Sequence, residues 1–199
     1  MVRFVFILLL VAAAALVVAL YFDRRGRQDE GLLRLRAAFL HGSPLGGFAR
    51  QTGLQDVACG PLRMRLPQSF LPEPQSDGSL LYRDGSTRVN TLRLEVLALQ
   101  CTAPASAESL EQELARRKPE KERSLERLGD RVLLRFLERQ REGAQDLIAY
   151  CWQLGLPLPP EQARLALLTF KVPAARAGDV VVGADLALLE REIRAATLG

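Results

Sequence analysis

The sequence predicts an α+β fold: an N-terminal transmembrane helix followed by an antiparallel sheet flanked by a mid-chain helix and a C-terminal helix. Three observations predict it. Residues 4–22 carry no charged side chain, several later segments alternate apolar and polar residues, and two segments have helical periodicity. Helices set apart from a run of antiparallel strands are typical of this class.

The apolar segment 4–22 would form a helix about 28 Å long, close to the roughly 30 Å hydrocarbon core of a bilayer. Aromatic and basic residues flank it, as they do at membrane interfaces. These flanking residues are Arg3, Tyr21, Phe22, Arg24, Arg25 and Arg27. We expect a retained anchor whose partner is the lipid bilayer; a cleaved signal peptide and a buried soluble helix are the alternatives.

The positive charge is concentrated near this segment. Residues 23–66 contain eight arginines and four acids, whereas residues 67–199 contain 18 basic and 19 acidic residues. The basic flank favours a cytoplasmic domain, but the bias is small and a periplasmic domain is nearly as well supported. The sequence therefore predicts a single-pass protein of the bacterial inner membrane. The near-neutral distal part argues against nucleic-acid binding.

Three regions follow from this pattern: an anchor with its basic flank (1–28), a short helix and linker (29–58) and an α+β globular domain (59–199). Acids open the short helix, and Leu32 and Phe39 lie at helical spacing. Residues 41–56 are rich in Gly, Ser and Pro, which indicates a linker.

Alternation predicts strands over residues 62–66, 79–83 and 89–99, of which the last two form a hairpin. The two prolines within residues 71–77 predict a loop there. Ser106 is a good N-cap for a helix that Pro119 ends, and residues 120–130 fit either a helical turn or an edge strand.

Strands are again predicted over residues 131–137, 148–154 and 166–172. In the C-terminal helix, Leu186, Leu189 and Ile193 share one face.

The three cysteines are Cys59, Cys101 and Cys151, an odd number that leaves at least one thiol free. A Cys59–Cys101 disulfide is conceivable if the fold brings these residues together. Cys151 lies in an apolar strand and is interpreted as a small buried residue.

Catalytic and metal-binding patterns are missing from the sequence. His41, the single histidine, lies in the linker, and the chain has neither a phosphate-binding loop nor a nucleophile elbow. We therefore expect no enzymatic activity, no metal and no cofactor. Tyr150 and Trp152 share a strand face, which is typical of core but could also form a binding surface.

The order of elements, with a strand that ends at Leu66-Pro67, resembles the PsbP-like fold over residues 59–198. That resemblance implies a PsbP-like sandwich with a non-enzymatic adaptor or assembly role.

The segment Cys59-Gly60-Pro61-Leu62-Arg63-Met64-Arg65-Leu66-Pro67 is similar to the opening of the Tle-cognate immunity proteins of type VI secretion. This resemblance implies an immunity protein that neutralises a secreted phospholipase toxin by binding it. The Gly-Arg that usually follows the cysteine in that family is absent here.

Together these observations predict a membrane-anchored, non-catalytic protein-binding domain of the bacterial envelope, whose protein partner the sequence does not identify. The alternative from another class is an enzyme or small-molecule binder with a cleft near Tyr150 and Trp152. A broad patch rimmed by polar residues would favour protein binding, and a deep pocket lined by polar groups would favour the alternative.

Overall fold

The computed structural model describes residues 30–40, 53–87, 89–101, 104–119 and 122–199. The predicted anchor segment 4–22 lies outside the described residues, as does most of the predicted linker. The predicted interface residues Arg3, Tyr21, Phe22, Arg24, Arg25 and Arg27 lie outside them as well.

The predicted single-pass inner-membrane location needs correction. Among the described residues, no helix is both long enough and apolar enough to cross a membrane. The C-terminal helix, with 16 residues, is about 24 Å long and carries several charged side chains. The structure therefore gives no support to that location, and we do not retain it.

Three helices and ten strands make up the described fold. The helices are α1 (30–40), α2 (Ala107–Arg116) and α3 (Val180–Ala195). The strands are β1 (Leu54–Cys59), β2 (Leu62–Pro67), β3 (Phe70–Pro74), β4 (Leu80–Asp84), β5 (Thr91–Gln100), β6 (Arg123–Leu128), β7 (Arg131–Glu142), β8 (Gln145–Leu158), β9 (Gln162–Pro173) and β10 (Thr197–Leu198).

The strands form two antiparallel sheets. The small sheet has the order β1-β2-β10, and the seven-stranded sheet has the order β3-β4-β5-β9-β8-β7-β6. The predicted hairpin between β4 and β5 is confirmed. In the β7–β8 hairpin Glu142 pairs with Gln145, and Gly143 takes a positive φ of 60° in the turn between them.

The seven-stranded sheet lies between two apolar layers. On one face, α1, α3 and the small sheet pack over a core that includes Phe70, Tyr150 and Trp152. On the other face, Leu110 and Leu114 of α2 pack against a second cluster. The α+β class with antiparallel sheets is therefore confirmed.

Helix α2 begins and ends where its sequence predicts. Ser106 accepts a hydrogen bond from the Ser109 backbone N–H, and the Ser109 hydroxyl binds the Ser106 backbone in return. This reciprocal capping satisfies two N–H groups that a helix start leaves without partners. Leu110 and Leu114, one turn apart, are buried against the sheet.

Two segments differ from expectation, and for a third, one of its two predicted alternatives is confirmed. The segment predicted as a loop forms the edge strand β3. An edge strand tolerates Pro72 and Pro74, because the side without a partner strand needs no backbone N–H donors. Strand β1 (Leu54–Cys59) occupies the end of the predicted linker. The segment left open at 120–130 contains the edge strand β6. The folded unit thus includes α1 and β1, which precede the predicted domain start at residue 59.

Candidate functional site

Tyr150 and Trp152, the residues proposed as a binding surface, are both completely buried. Phe39 of α1 covers them edge-on, with ring centroids 5.2 Å from Tyr150 and 5.1 Å from Trp152. Burial raises the pKa of the Tyr150 hydroxyl. These two residues therefore belong to the core, and the interpretation as a binding surface is wrong.

A buried polar cluster lies beside Trp152. The indole N–H donates to Glu190 Oε2 over 2.6 Å, and Arg135 Nη1 donates to Glu190 Oε1 over 2.9 Å. Arg135 is 3% exposed and also donates to the Ser124 hydroxyl over 2.8 Å. The cluster gives the two terminal nitrogens of a buried guanidinium partners from α3 and β6.

Arg194 extends this cluster toward solvent. Its two terminal nitrogens bind Glu126 at 2.6 and 2.7 Å, and its Nε binds Glu190 over 2.9 Å. The hydrogen bond from Arg194 is the main reason why the pKa of Glu126 lies below its usual range. These bonds attach α3 to β6, β7 and β8. The buried Arg135 Nε has no hydrogen-bond partner among the described residues, whereas the other guanidinium and indole donors named here bind carboxylates or a hydroxyl of the fold.

Cys59 and Cys101 lie on different faces of the seven-stranded sheet. Cys59 belongs to the cluster under α3, whereas Cys101 packs against the cluster under α2. All three cysteines are free thiols, so the structure does not contain the proposed Cys59–Cys101 bridge. Cys151 is buried as predicted, and desolvation raises the pKa of its thiol to about 12.

No group of three or more His, Cys, Asp or Glu side chains that could hold a metal ion occurs within the described parts of the chain. The expectation that the protein is not an enzyme stays a prediction.

The surface that stands out is the sheet face beside α2. A helix is about 10–12 Å wide, whereas seven strands spaced about 4.8 Å apart make a sheet about 29 Å wide. One ten-residue helix therefore cannot cover this face. Helix α2 packs mainly on β6, β7 and β8, and Leu99 at the end of β5 joins the cluster beneath it. The apolar side chains of β3, β4 and the rest of β5 on this face do not belong to that cluster.

Leu71, Leu81 and Leu97 lie in this region, and Leu167 of β9 lies at its border with the cluster under α2. Strand pairing places Leu81 opposite Arg93, Glu95 opposite Leu167, and Leu97 opposite Leu165. Since Leu165 and Leu167 pack with the cluster under α2, all these side chains share the face of α2. Glu73 pairs with Leu81 and therefore shares this face. Leu71, two residues before Glu73 in the same strand, lies on this face as well. We call Leu71, Leu81, Leu97 and Leu167 the open half-sheet.

The exposure of the four side chains differs along the open half-sheet. Leu71 is 57% exposed and Leu97 is 36% exposed, whereas Leu81 and Leu167 are intermediate. Apolar side chains on a solvent-facing sheet are unusual, because that face normally carries polar residues in alternation with the core.

Charged side chains lie between these leucines on the same face, since the strand register places Glu73 and Arg93 on either side of Leu81. Arg83 binds Glu73 with a shortest distance of 2.8 Å, and Arg93 binds Asp77 over 2.6 Å. The hydrogen bond from Arg83 is the main cause of the lowered pKa of Glu73, and the Ser79 hydroxyl is the main cause of that of Asp77. These four charged residues therefore form two opposite-charge pairs.

Sequence reasoning missed the open half-sheet, although β5 contained a signal for it. In this strand Leu92, Leu94, Val96 and Ala98 share one face, and Leu97 and Leu99 are apolar residues on the opposite face. Apolar residues on both faces of a strand indicate that both faces of the sheet are covered. Helix α2 covers only part of the second face.

No family model matches the chain, and no curated protein matches it. Solved structures give distant similarities. A protein from Bacteroides thetaiotaomicron has 17% identity and a TM-score of 0.42 over 66% of this chain, which spans about half (47%) of that protein. The Saccharomyces cerevisiae Ran-binding protein Mog1p has 11% identity and a TM-score of 0.45, with 74% of this chain and 96% of that one covered.

The lipid transfer and protein localization domain of human StarD13 has 11% identity and a TM-score of 0.35, with 62% of this chain and 88% of that one covered. All three similarities are too distant to carry an argument about function. Their names do not refer to PsbP-like domains or to Tle-cognate immunity proteins, so both resemblances stay predictions.

Proposed function

We propose that this chain is a non-catalytic domain that binds a protein partner through the open half-sheet. The observation that carries the proposal is the exposure of Leu71 (57%) and Leu97 (36%) on a sheet face that α2 covers only over β6–β8. Apolar patches rimmed by polar groups mark interaction sites on soluble domains.

The chemistry of the patch defines the partner surface that fits it. Full burial of an exposed leucine is worth about 1.5–3 kcal/mol, so a few leucines can supply much of a specific interaction. Because Glu73 pairs with Arg83 and Asp77 with Arg93, these residues have no strong net charge. The complementary surface therefore offers apolar groups to the leucines and carries no strong net charge where it meets the ion pairs between them.

The patch suits contact better than chemistry. Leucine side chains can neither transfer protons nor act as nucleophiles. Arg83, Glu73, Arg93 and Asp77 are held in ion pairs, which leaves Glu95, opposite Leu167, as a single carboxylate on this part of the described face. A sheet face is also rigid, so little conformational entropy is lost when a partner docks on it.

The experiment that tests this function places a photo-reactive amino acid at position 71 or 97 of the full-length chain and irradiates producing cells. Position 180 serves as a matched control, because Val180 is 61% exposed but lies at the start of α3, away from the patch. We expect one protein to be crosslinked from positions 71 and 97 and not from position 180.

The crosslinked protein is then purified and titrated with the unmodified chain and with Leu71→Asp, Leu97→Asp and Val180→Asp. The first two variants should weaken binding at least tenfold, and the third should leave it unchanged. Identical products from all three positions, or equal affinities for all three variants, would refute the proposal.

A further inference from the structure

A groove lies on the opposite face of the large sheet, between α1 and the β7–β8 hairpin. Two adjoining cavities of about 210 and 370 Å³ share Leu32, Arg139 and Ile148 in their lining. The rest of the lining is about half apolar, with Leu33, Leu40, Leu137, Leu147 and Ala174, and half polar, with Arg36, Glu122, Glu138, Gln140, Arg141 and Asp146. The groove is separate from the open half-sheet, since α1 packs on the face that contains Tyr150 and Trp152.

Two arginines in this lining lack ionic partners. Arg36 and Arg139 are exposed, and neither has a carboxylate or a carbonyl partner among the described residues. Arg141 lies 4.0 Å from Asp146, a distance at which the pair is weak.

Most of the acids nearby are already engaged. Glu138 binds Lys118 over 2.5 Å, and Asp146 faces Arg141. Glu122, at the mouth of the smaller cavity, is the remaining acid of the lining. Arg36 and Arg139 together thus leave the groove with positive charge that one carboxylate does not balance.

We infer that this groove binds a small amphiphile with one apolar chain and an anionic head group. The leucines and Ile148 would cover the chain, and Arg36 and Arg139 would bind the head. A guanidinium suits this role, because its planar set of donors matches the two oxygens of a carboxylate. An apolar cleft with a few convergent polar groups is the usual form of a small-molecule site.

The inference is tested by calorimetric titration of the full-length chain with hexanoate, octanoate, decanoate and the uncharged decanol. If the chain lies in the apolar groove, each added methylene should tighten binding roughly threefold to fourfold. Decanol should bind at least tenfold more weakly than decanoate, because the arginines would have no anion to bind.

Variants separate the groove from any other apolar part of the chain. Arg36→Gln with Arg139→Gln should weaken decanoate binding at least tenfold, and Leu33→Gln should weaken it several-fold; Leu33 is 62% exposed, so the fold should tolerate this change. Arg117→Gln, which removes an exposed arginine at the end of α2, is the matched control and should bind as the unmodified chain does.

Three results would overturn the inference: no binding of decanoate, the same affinity for all chain lengths, or equal loss of binding in the Arg117→Gln control. Circular dichroism of each variant shows whether it is folded. A folded double variant with unchanged affinity would also exclude Arg36 and Arg139 as the head-group site.

Discussion

Trp152 Nε1 donates a hydrogen bond to Glu190 Oε2 over 2.6 Å, and this bond joins the centre of β8 to α3. The same carboxylate accepts from Arg135 and Arg194, each over 2.9 Å. One glutamate on the last helix therefore satisfies donors from two strands and from its own helix. The position of α3 on the sheet depends on this group.

Replacement of Glu190 by alanine should strongly destabilise the fold. The change leaves the buried Arg135 guanidinium without its closest carboxylate, and breaking a buried ion pair costs roughly 3–5 kcal/mol. We expect a loss near the lower end, about 3 kcal/mol, because Ser124 and Glu126 still contact Arg135. Urea unfolding measures it.

Glu113→Ala is the control for this change, since its ion pair with Arg116 is exposed and 3.7 Å long. It should cost below about 0.5 kcal/mol. Equal losses in the two variants would show that Glu190 does not anchor α3.

Replacement of Phe39 by alanine should cost about 3–5 kcal/mol, the usual range for a buried aromatic ring. Phe39 touches both Tyr150 and Trp152, so its loss leaves a cavity over the centre of the large sheet. Trp152 is the single tryptophan of the chain, and its fluorescence should shift to longer wavelength in the variant.

Leu33→Ala, which truncates an exposed side chain of the same helix, should change stability by less than about 0.5 kcal/mol. If Phe39→Ala unfolds at the same urea concentration as this control, α1 is not part of the cooperative unit.

Acid should destabilise the fold partly through Glu126. Because Arg194 lowers the pKa of Glu126 in the folded protein, ionised Glu126 stabilises the fold at pH values above its unfolded pKa. This contribution is lost as the pH falls through the lower folded pKa. We expect the unmodified chain to lose stability between about pH 5 and pH 3.

The Glu126→Gln variant should be less stable than the unmodified chain at neutral pH and should lose less stability on acidification. Urea unfolding midpoints measured across this pH range test both expectations. Arg194→Met should flatten the profile in the same way, whereas Arg116→Met, which removes an arginine distant from Glu126, should not. Parallel profiles for all four proteins would contradict the assignment.

The three thiols should differ in reactivity. Cys101 is half-buried, whereas Cys59 and Cys151 are buried and desolvation raises the pKa of both thiols. Since the thiolate is the reactive form, iodoacetamide at pH 8 should modify Cys101 first and Cys151 only on unfolding. Peptide mass spectrometry gives the order.

Cys101→Ser should remove the fast phase of modification and leave the slow ones unchanged. A disulfide-linked peptide that contains Cys59 and Cys101 from the native protein would contradict the structure.

Elements with local signals were predictable from the sequence. Strand β2 shows strict alternation from Leu62 to Leu66, and α2 starts at Ser106 with apolar residues one turn apart. Such signals depend on neighbouring residues, which a sequence displays directly. The C-terminal helix and the strands β4, β5, β7, β8 and β9 of the large sheet were found for the same reason.

Features that depend on distant partners were not predictable. The two residues of β10 pair with Leu62 and Arg63, far away in the sequence, and have no pattern of their own. Alternation predicts that Tyr150 and Trp152 share one face, but it does not predict that α1 covers them. The open half-sheet likewise requires the strand order and the length of α2.

The edges of the large sheet also affect how the protein would aggregate. Pro72 and Pro74 deprive the outer side of β3 of two N–H donors, and at the opposite edge β6 carries Arg123, Glu126 and Arg127. Neither edge is a good template for stacking of further strands into a cross-β fibril. Concentrated or heat-stressed protein should therefore form amorphous precipitate rather than amyloid.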